Sequence, residues 1–310
     1  SLYKFIISLL IASLTLIGLQ WPFRNKLYLG SKINLEDKYW DTKSASEKIN
    51  RKKCHALNSY TQKELKNLLD DCKIINPNNL NEGTVAFVGD SHALSVMGVQ
   101  NKIYNKGFNI IHYSFGACPF PYPLFGAKTE KCSNFLKNST EKILSELKED
   151  DVVIISNYLL TYLGDNSLRE TRNIFYDKKG NIPTSGNKKI NIYIKSLKEF
   201  SEKANQKGIK IIFIGAGTRN FYYKITSKEW FRPYPPNYIF AEERSHAIDL
   251  NEKLKSKLKD LTNLIFFDTV EEIPCCKSHR EYTLLYRDTN HLSKHGANLL
   301  IDKLIPKIIN

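Results

Sequence analysis

From residue 84 onward, short apolar runs alternate with longer stretches in which apolar residues recur at helical spacing. The apolar runs are "TVAFVGD", "FNIIHYS", "DVVIISN", "IKIIFIGAG" and "NLIFFD". Such runs, separated by helices, are typical of parallel strands that are covered by helices on both faces. The pattern therefore predicts an α/β fold, a doubly wound and mostly parallel sheet of about five strands with helices on both faces.

Two irregular segments interrupt this rhythm, residues 158–188 and 217–240, and each follows the end of a predicted strand. In a doubly wound sheet, ligands bind at the carboxyl ends of the strands. Long loops at that edge usually shape a site. Arg219 lies in the second segment and is a candidate for contact with a substrate. The same segment carries aromatic residues between prolines, which predict either a sugar-stacking wall or ordinary loop packing.

The first residues form a separate element. Phe5 to Phe23 carries no charge, and this length suits a membrane span of roughly 17–25 residues. Trp21 lies at its end, where interfacial aromatic residues are found. The run is longer than the apolar core of a signal peptide, and no small-residue cleavage site follows it. We expect a transmembrane helix over residues 1–23, with a buried core helix as the alternative.

Between this helix and the first strand, residues 24–82 are polar, rich in Lys and Asn, and contain one helical pattern from Gln62 to Lys73. They are expected to be an extension or linker that precedes a catalytic domain over residues 83–310. Disulfide bonds are expected because the six cysteines all lie outside the apolar segment, as in proteins of an oxidising compartment. Proximity along the chain suggests two pairs, which are Cys54 with Cys72 and Cys118 with Cys132. For Cys275 and Cys276, both a vicinal disulfide and two free thiols stay open.

The formal charge of +14 raises the question of an anionic partner. No nucleic-acid motif is present, and the lysines are spread along the chain rather than gathered in one stripe, so nucleic acid is not an expected partner. No set of four Cys or His ligands is complete, so we expect no metal. The sequence also contains no cofactor-binding motif, so we expect no cofactor.

The sequence at residues 89–92, Gly-Asp-Ser-His, places Ser91 where a strand ends and a helix begins. Such a corner exposes a hydroxyl beside a helix N-terminus, which favours developing negative charge. Ser91 and Asp90 also suit a simple helix cap. Near the other end of the chain, Asp288 and His291 are three residues apart and precede the last predicted helix. At that spacing Asp288 can orient His291, whose second nitrogen is then available to Ser91.

Together these motifs resemble the SGNH (GDSL-like) hydrolase superfamily, whose first block is Gly-Asp-Ser and whose last is Asp-x-x-His. More narrowly, "GDSHA", the Cys-Pro after the second strand and "DTNHLSKHGA" resemble the SGNH domain that is fused behind the membrane domain of acyltransferase-3 proteins. The resemblance covers about residues 54–310. It implies a flavodoxin-like fold, with Ser91 as nucleophile, His291 as general base and then acid, and Asp288 as the orienting carboxylate.

The resemblance also implies an oxyanion hole built from the backbone N–H of Ser91, a glycine of the second block and an asparagine of the third. Gly116 in "SFGAC" and Asn157 in "IISNY" occupy the matching places after two strands. Both depart from the family's usual motif, because neither stands in its usual context. Asp90 is expected to stabilise the turn, and His92 is expected to be a helix-start residue rather than a second base.

The function that the resemblance implies is serine-dependent transfer of an O-acyl group, most simply acetyl, to a hydroxyl of a cell-surface carbohydrate such as lipopolysaccharide, capsule or peptidoglycan. An acyltransferase-3 membrane domain would deliver the acyl donor. The domain would then act outside the cytoplasm, in the periplasm or outside the cell, anchored at the inner membrane of a bacterium. Two alternatives stay open, a carbohydrate O-acetyl esterase with the same triad and a non-catalytic carbohydrate-binding domain on the same fold.

Overall fold

The structure is a computed structural model. It describes residues 2–23, 54–77, 83–121, 129–164, 185–218, 241–273 and 290–309.

Seven strands in the described residues form one sheet. They are β1 His55–Ala56, β2 Lys73–Ile74, β3 Thr84–Gly89, β4 Asn109–Phe115, β5 Val152–Ser156, β6 Lys210–Ile214 and β7 Leu264–Phe267. The order is β1-β4-β3-β5-β6-β7, and every pair along this path is parallel. Strand β2 lies antiparallel on β4. The five longer strands are those that the apolar runs predict, so the predicted α/β fold class is confirmed.

Helices follow the strands along the chain. The described ones are α1 Leu2–Phe23, α2 Gln62–Asp71, α3 Ser91–Leu94, α4 Asn101–Tyr104, α5 Glu130–Glu146, α6 Leu159–Leu163, α7 Gly186–Asn205, α8 Ala241–Leu258, α9 Thr269–Glu272 and α10 Lys294–Ile309. A 3₁₀ turn covers Met97–Val99. The stretch from Ser91 to Tyr104 is therefore divided into three short helical pieces. Gly98, a poor helix former, lies in the middle of the break.

The two central strands, β3 and β5, are buried along most of their length. Residues 85–88 of β3 are at most 1% exposed, and those of β5 from Val152 to Ile155 are buried to the same degree. Strands covered on both faces need apolar side chains at successive positions, which explains the unbroken apolar runs. Strand β3 lies between β4 and β5, so the residue that follows it emerges in the middle of the sheet's carboxyl edge.

Residues 54–77 were expected to be an extension or linker, but they contribute to the same sheet. Strand β1 pairs with the last residues of β4 and β2 with earlier ones, so both cover one edge of β4. A disulfide joins Cys54 to Cys72, and the hydroxyl of Tyr113 on β4 donates to the carbonyl of Leu69. Short strands that cover an edge in this way satisfy its backbone hydrogen-bonding groups.

Helix α1 covers Leu2–Phe23, almost the same residues as the uncharged run. Among the described residues, no helix is long and apolar enough to cross a membrane. The membrane span expected over residues 1–23 is therefore not found in this part of the chain.

Candidate active site

The corner between β3 and α3 depends on a close approach of two strand ends. Gly89, the last residue of β3, has φ +144°, a conformation that L side chains rarely adopt. A Cβ at this position would lie 1.9 Å from the carbonyl oxygen of Ser156, at the end of β5. Only glycine allows the two strand ends to approach so closely. The next two residues, Asp90 and Ser91, leave the strand at this point.

Asp90 is fully buried and holds the corner through its carboxylate. One oxygen accepts the backbone N–H of His92 at 2.7 Å and so caps α3. The other accepts the backbone N–H of Tyr158 at 2.9 Å, in the segment that follows β5. A single side chain thus fixes the ends of two neighbouring strands relative to each other, as aspartates in turns commonly do.

His291 lies directly beside Ser91. Its Nε2 is 2.8 Å from the Ser91 Oγ, a hydrogen-bond distance, although the two residues are 200 positions apart. The residues after His291 are held by the start of α10, where the hydroxyl of Ser293 accepts the backbone N–H of Gly296 at 3.1 Å. His291 and Ser91 thus come from the last and the first strand-helix units of the main sheet, at its carboxyl edge.

Several predicted residues lie outside the described part of the chain. These are Asp288, Arg219, Cys275, Cys276 and the aromatic residues between prolines in residues 230–238. The orienting role of Asp288 and the substrate contact of Arg219 stay predictions.

The backbone N–H of Gly116 already has a partner. It follows β4, the strand beside β3, and its N–H donates to the carbonyl of Ala56 at 2.9 Å. The next residue, Ala117, has φ +58°, and the N–H of Cys118 donates to the carbonyl of Phe115 at 3.1 Å. A tight turn therefore closes directly after β4, with its glycine bonded to β1.

Asn157 is also engaged in this structure. Its side-chain amide donates to the carbonyl of Phe120 and to the hydroxyl of Tyr193, both at 2.8 Å, and its oxygen accepts the Phe120 N–H at 3.1 Å. The Cys118–Cys132 disulfide closes the same segment. The asparagine thus holds the chain after β4 in place. The sequence did not indicate Phe120 or Tyr193 as its partners.

The backbone N–H of Ser91 is a donor of a different kind. Ser91 is the first residue of α3, and the first N–H groups of a helix have no partner within that helix. Of the three predicted oxyanion donors, the Ser91 N–H is therefore the one that the local geometry best leaves available to an oxyanion. Gly116 and Asn157 stay predictions, because each would have to exchange its present hydrogen bond for one to the substrate.

Comparison with known proteins identifies the family. The family model described as an SGNH domain, fused to AT3 domains, matches residues 53–306. The chain belongs to this family. It is therefore an SGNH-type enzyme that acts on acyl groups, which confirms the resemblance seen in the Gly-Asp-Ser and Asp-x-x-His blocks. Among the described residues, no group of three His, Cys, Asp or Glu side chains could hold a metal ion.

Solved structures are similar to this chain. The periplasmic domain of a lipopolysaccharide acetyltransferase from Salmonella ser. Paratyphi A matches with TM-score 0.55 and 18% identity, over 83% of this chain and 92% of that one. An acetylxylan esterase from Geobacillus stearothermophilus matches with TM-score 0.41 and 12% identity, over 73% and 94%. A GDSL-like lipase from Bacteroides thetaiotaomicron matches with TM-score 0.43 and 11% identity, over 74% and 88%. No curated protein matches the chain.

Proposed function

We propose that this SGNH domain transfers an O-acyl group, most simply acetyl, to a hydroxyl of a cell-surface carbohydrate through an acyl-Ser91 intermediate. The observation that carries the proposal is the 2.8 Å distance between the Ser91 Oγ and the His291 Nε2. A serine hydroxyl is a weak nucleophile until a base lies within hydrogen-bond reach, and this geometry provides one.

In the first step, His291 Nε2 takes the proton of the Ser91 hydroxyl while Oγ attacks the acyl carbonyl. The tetrahedral intermediate carries its negative charge on the former carbonyl oxygen, and the N–H of Ser91 at the start of α3 donates to it. The bond to the donor's leaving group then breaks, and the leaving group takes the proton from His291. We assign Asp288 to orient His291 and to stabilise its imidazolium form.

In the second step, the hydroxyl of a sugar takes the place of the leaving group. His291 removes the proton of this hydroxyl as its oxygen attacks the acyl-serine carbonyl, and then returns a proton to Ser91 Oγ. The products are the O-acylated sugar and the free enzyme. We propose that Arg219 contacts the acceptor, because in the sequence it follows β6, whose carboxyl end belongs to the same edge of the sheet.

The family and one solved structure support the acyl donor and the location. Its model describes SGNH domains that are fused to AT3 domains, which supports an acyl donor delivered by an acyltransferase-3 membrane domain. The similar fold in the periplasmic domain of a lipopolysaccharide acetyltransferase supports a site outside the cytoplasm. The two described disulfides suit that oxidising compartment.

The test uses the full chain, an activated acetyl ester and a purified surface glycan. In Ser91→Ala and His291→Ala we expect acetyl release to fall by more than about 10⁴-fold, because triad members act as one unit. Ser95→Ala is the matched control, since Ser95 is a buried serine of the same segment whose hydroxyl donates to the Ser91 carbonyl and takes no part in the proposed chemistry. Asp288→Asn tests the third member.

Each outcome has a distinct meaning. Acetylated glycan as the main product supports transfer, whereas free acetate at the same rate with and without glycan would replace transferase by esterase. Turnover that survives both Ser91→Ala and His291→Ala would exclude the proposed nucleophile and base.

A further inference from the structure

A second histidine, His92, lies beside the base and is not used in the proposed chemistry. Its ring stacks on Tyr158, with centroids 4.7 Å apart and planes 14° from parallel. Its centroid is 5.1 Å from that of His291. The ring of His92 thus contacts both the segment after β5 and the catalytic histidine.

The polar edge of the same ring reaches the segment that carries the base. The Nε2 of His92 lies 3.2 Å from the Oδ1 of Asn290, the residue directly before His291. An amide oxygen is an acceptor, so the His92 nitrogen donates this bond. The hydrogen bond therefore acts on the backbone segment from which His291 emerges.

The two ends of this contact are themselves fixed. Asp90, fully buried, accepts the backbone N–H groups of both His92 and Tyr158, one on each carboxylate oxygen. The stacked rings of His92 and Tyr158 therefore belong to two backbone segments that the Asp90 carboxylate holds together. A side chain locked in this way can hold a neighbouring loop within the small tolerance that catalysis requires.

We propose that His92 is a positioning residue, which holds the Asn290–His291 segment against Tyr158 so that the His291 Nε2 stays within reach of Ser91. This inference rests on the proposed function, because it assigns His92 a role in the same acyl transfer. A neutral imidazole is suited to the task, since it supplies a flat ring and an N–H donor without adding a positive charge beside the imidazolium that forms on His291.

The inference predicts graded effects at one position. His92→Phe keeps a flat ring on Tyr158 but has no donor for Asn290. We expect kcat to fall about 10- to 100-fold with KM within about twofold, because a base displaced by about 1 Å costs about that much. His92→Gln restores an N–H donor without the ring and should recover part of the loss. His92→Ala, which loses both contacts, should be the slowest.

A double-mutant cycle separates positioning from general damage. If His92 acts through Asn290, then Asn290→Ala alone should lower kcat to a similar extent, and adding His92→Phe should lower it little further. His246→Phe is the matched control, because His246 is a partly exposed histidine of α8 and lies outside this contact. The control should keep the wild-type kcat.

The first experiment measures the rate at which the full chain forms acyl-Ser91 from an activated acetyl ester, followed by mass spectrometry, with thermal unfolding of every variant recorded. A His92→Phe rate within twofold of wild type, or losses that multiply in the double variant, would overturn the inference. If His92→Phe does not fold, His92→Gln and Asn290→Ala decide in the same way. Folded wild type that forms no acyl-Ser91 would instead overturn the proposed function, and this inference with it.

Discussion

The side chain of Asn157 bonds to the backbone of Phe120 on both sides, to its carbonyl and to its N–H. Asn157 and Phe120 are both buried. An amide that pairs with the N–H and the carbonyl of one residue makes the two hydrogen bonds that a neighbouring strand would make, and it fixes the chain after β4 to the end of β5. This geometry suits a structural role and leaves no amide proton directed elsewhere, since the second donates to the hydroxyl of Tyr193.

Substitution of Asn157 distinguishes the structural role from the oxyanion role. In Asn157→Ala the buried Phe120 N–H loses its acceptor, so we expect the free energy of unfolding to fall by about 1–3 kcal/mol. Urea denaturation measures this change. Asn298→Ala is the control, because the Asn298 amide donates to the Lys294 carbonyl at an exposed position, so its loss leaves no buried group without a partner. Unchanged stability with a kcat loss of about 10²–10³-fold would point instead to an oxyanion donor.

Among single residues, the sequence predicted those contacts that follow from the order of the strands. Ser91 and His291 each follow a strand or precede a helix at the carboxyl edge, and parallel strands bring such positions together. Their hydrogen bond at 2.8 Å agrees with that reasoning. The hydrogen-bond partners of Gly116 and Asn157 depend on the turn at residues 115–118 and on the position of Phe120. The periodicity of apolar residues in a sequence does not encode the direction of a single N–H group.

Among the elements, the segment over residues 54–77 departs most from expectation. Strands β1 and β2 have two residues each, too few for an alternating pattern to be visible in the sequence. The helix between them was predicted from its helical pattern, and in the structure Thr61 and Glu64 form a capping box at its start. The longer strands were predicted because burial on both faces requires continuous apolar runs. Short edge strands have no such requirement, so tertiary pairing alone determines them.

The disulfide Cys54–Cys72 closes this segment, and its loss should be felt in the whole sheet. The two residues are 18 positions apart, and closing a loop of that length limits the unfolded chain by about 3 kcal/mol. We expect Cys54→Ala/Cys72→Ala to lower the free energy of unfolding by about that amount, as measured by urea denaturation without reductant. The wild type without reductant is the matched comparison, because the Cys118–Cys132 disulfide is intact in both proteins. A loss below about 1 kcal/mol would show that β1 and β2 hold the segment without the covalent link.

Across the molecule, a buried polar chain connects the edge segment to the core. Gln100 Nε2 lies 2.8 Å from His112 Nδ1, His112 Nε2 lies 3.0 Å from Ser114 Oγ, and Ser114 Oγ lies 2.9 Å from His55 Nδ1. With Gln100 as donor, His112 accepts on Nδ1 and donates its one N–H to Ser114. A neutral His112 therefore suits both neighbours, whereas a second proton on Nδ1 would face the Gln100 N–H.

These buried polar side chains make the free energy of unfolding of the whole molecule depend on pH. Burial, and after it the charge of His55, lowers the pKa of His112 from 6.5 to about 3. In the unfolded chain the ring takes up a proton near its ordinary pKa, so between these two values the unfolded state binds more protons than the folded state. The contribution of His112 to the free energy of unfolding is thus complete above pH 6.5 and is lost as pH falls towards 3, by at most about 1.4 kcal/mol per pH unit.

We therefore expect His112→Gln to flatten the pH dependence of unfolding between pH 6.5 and 4, because glutamine can accept from Gln100 and donate to Ser114 but does not titrate. Urea denaturation at several pH values measures the slope in wild type and variant. His246→Gln serves as the control, since His246 lies outside the buried chain, and should keep the wild-type slope. Equal slopes in wild type and His112→Gln would mean that the buried ring takes up its proton without unfolding the sheet. The edge segment would then not depend on a neutral His112.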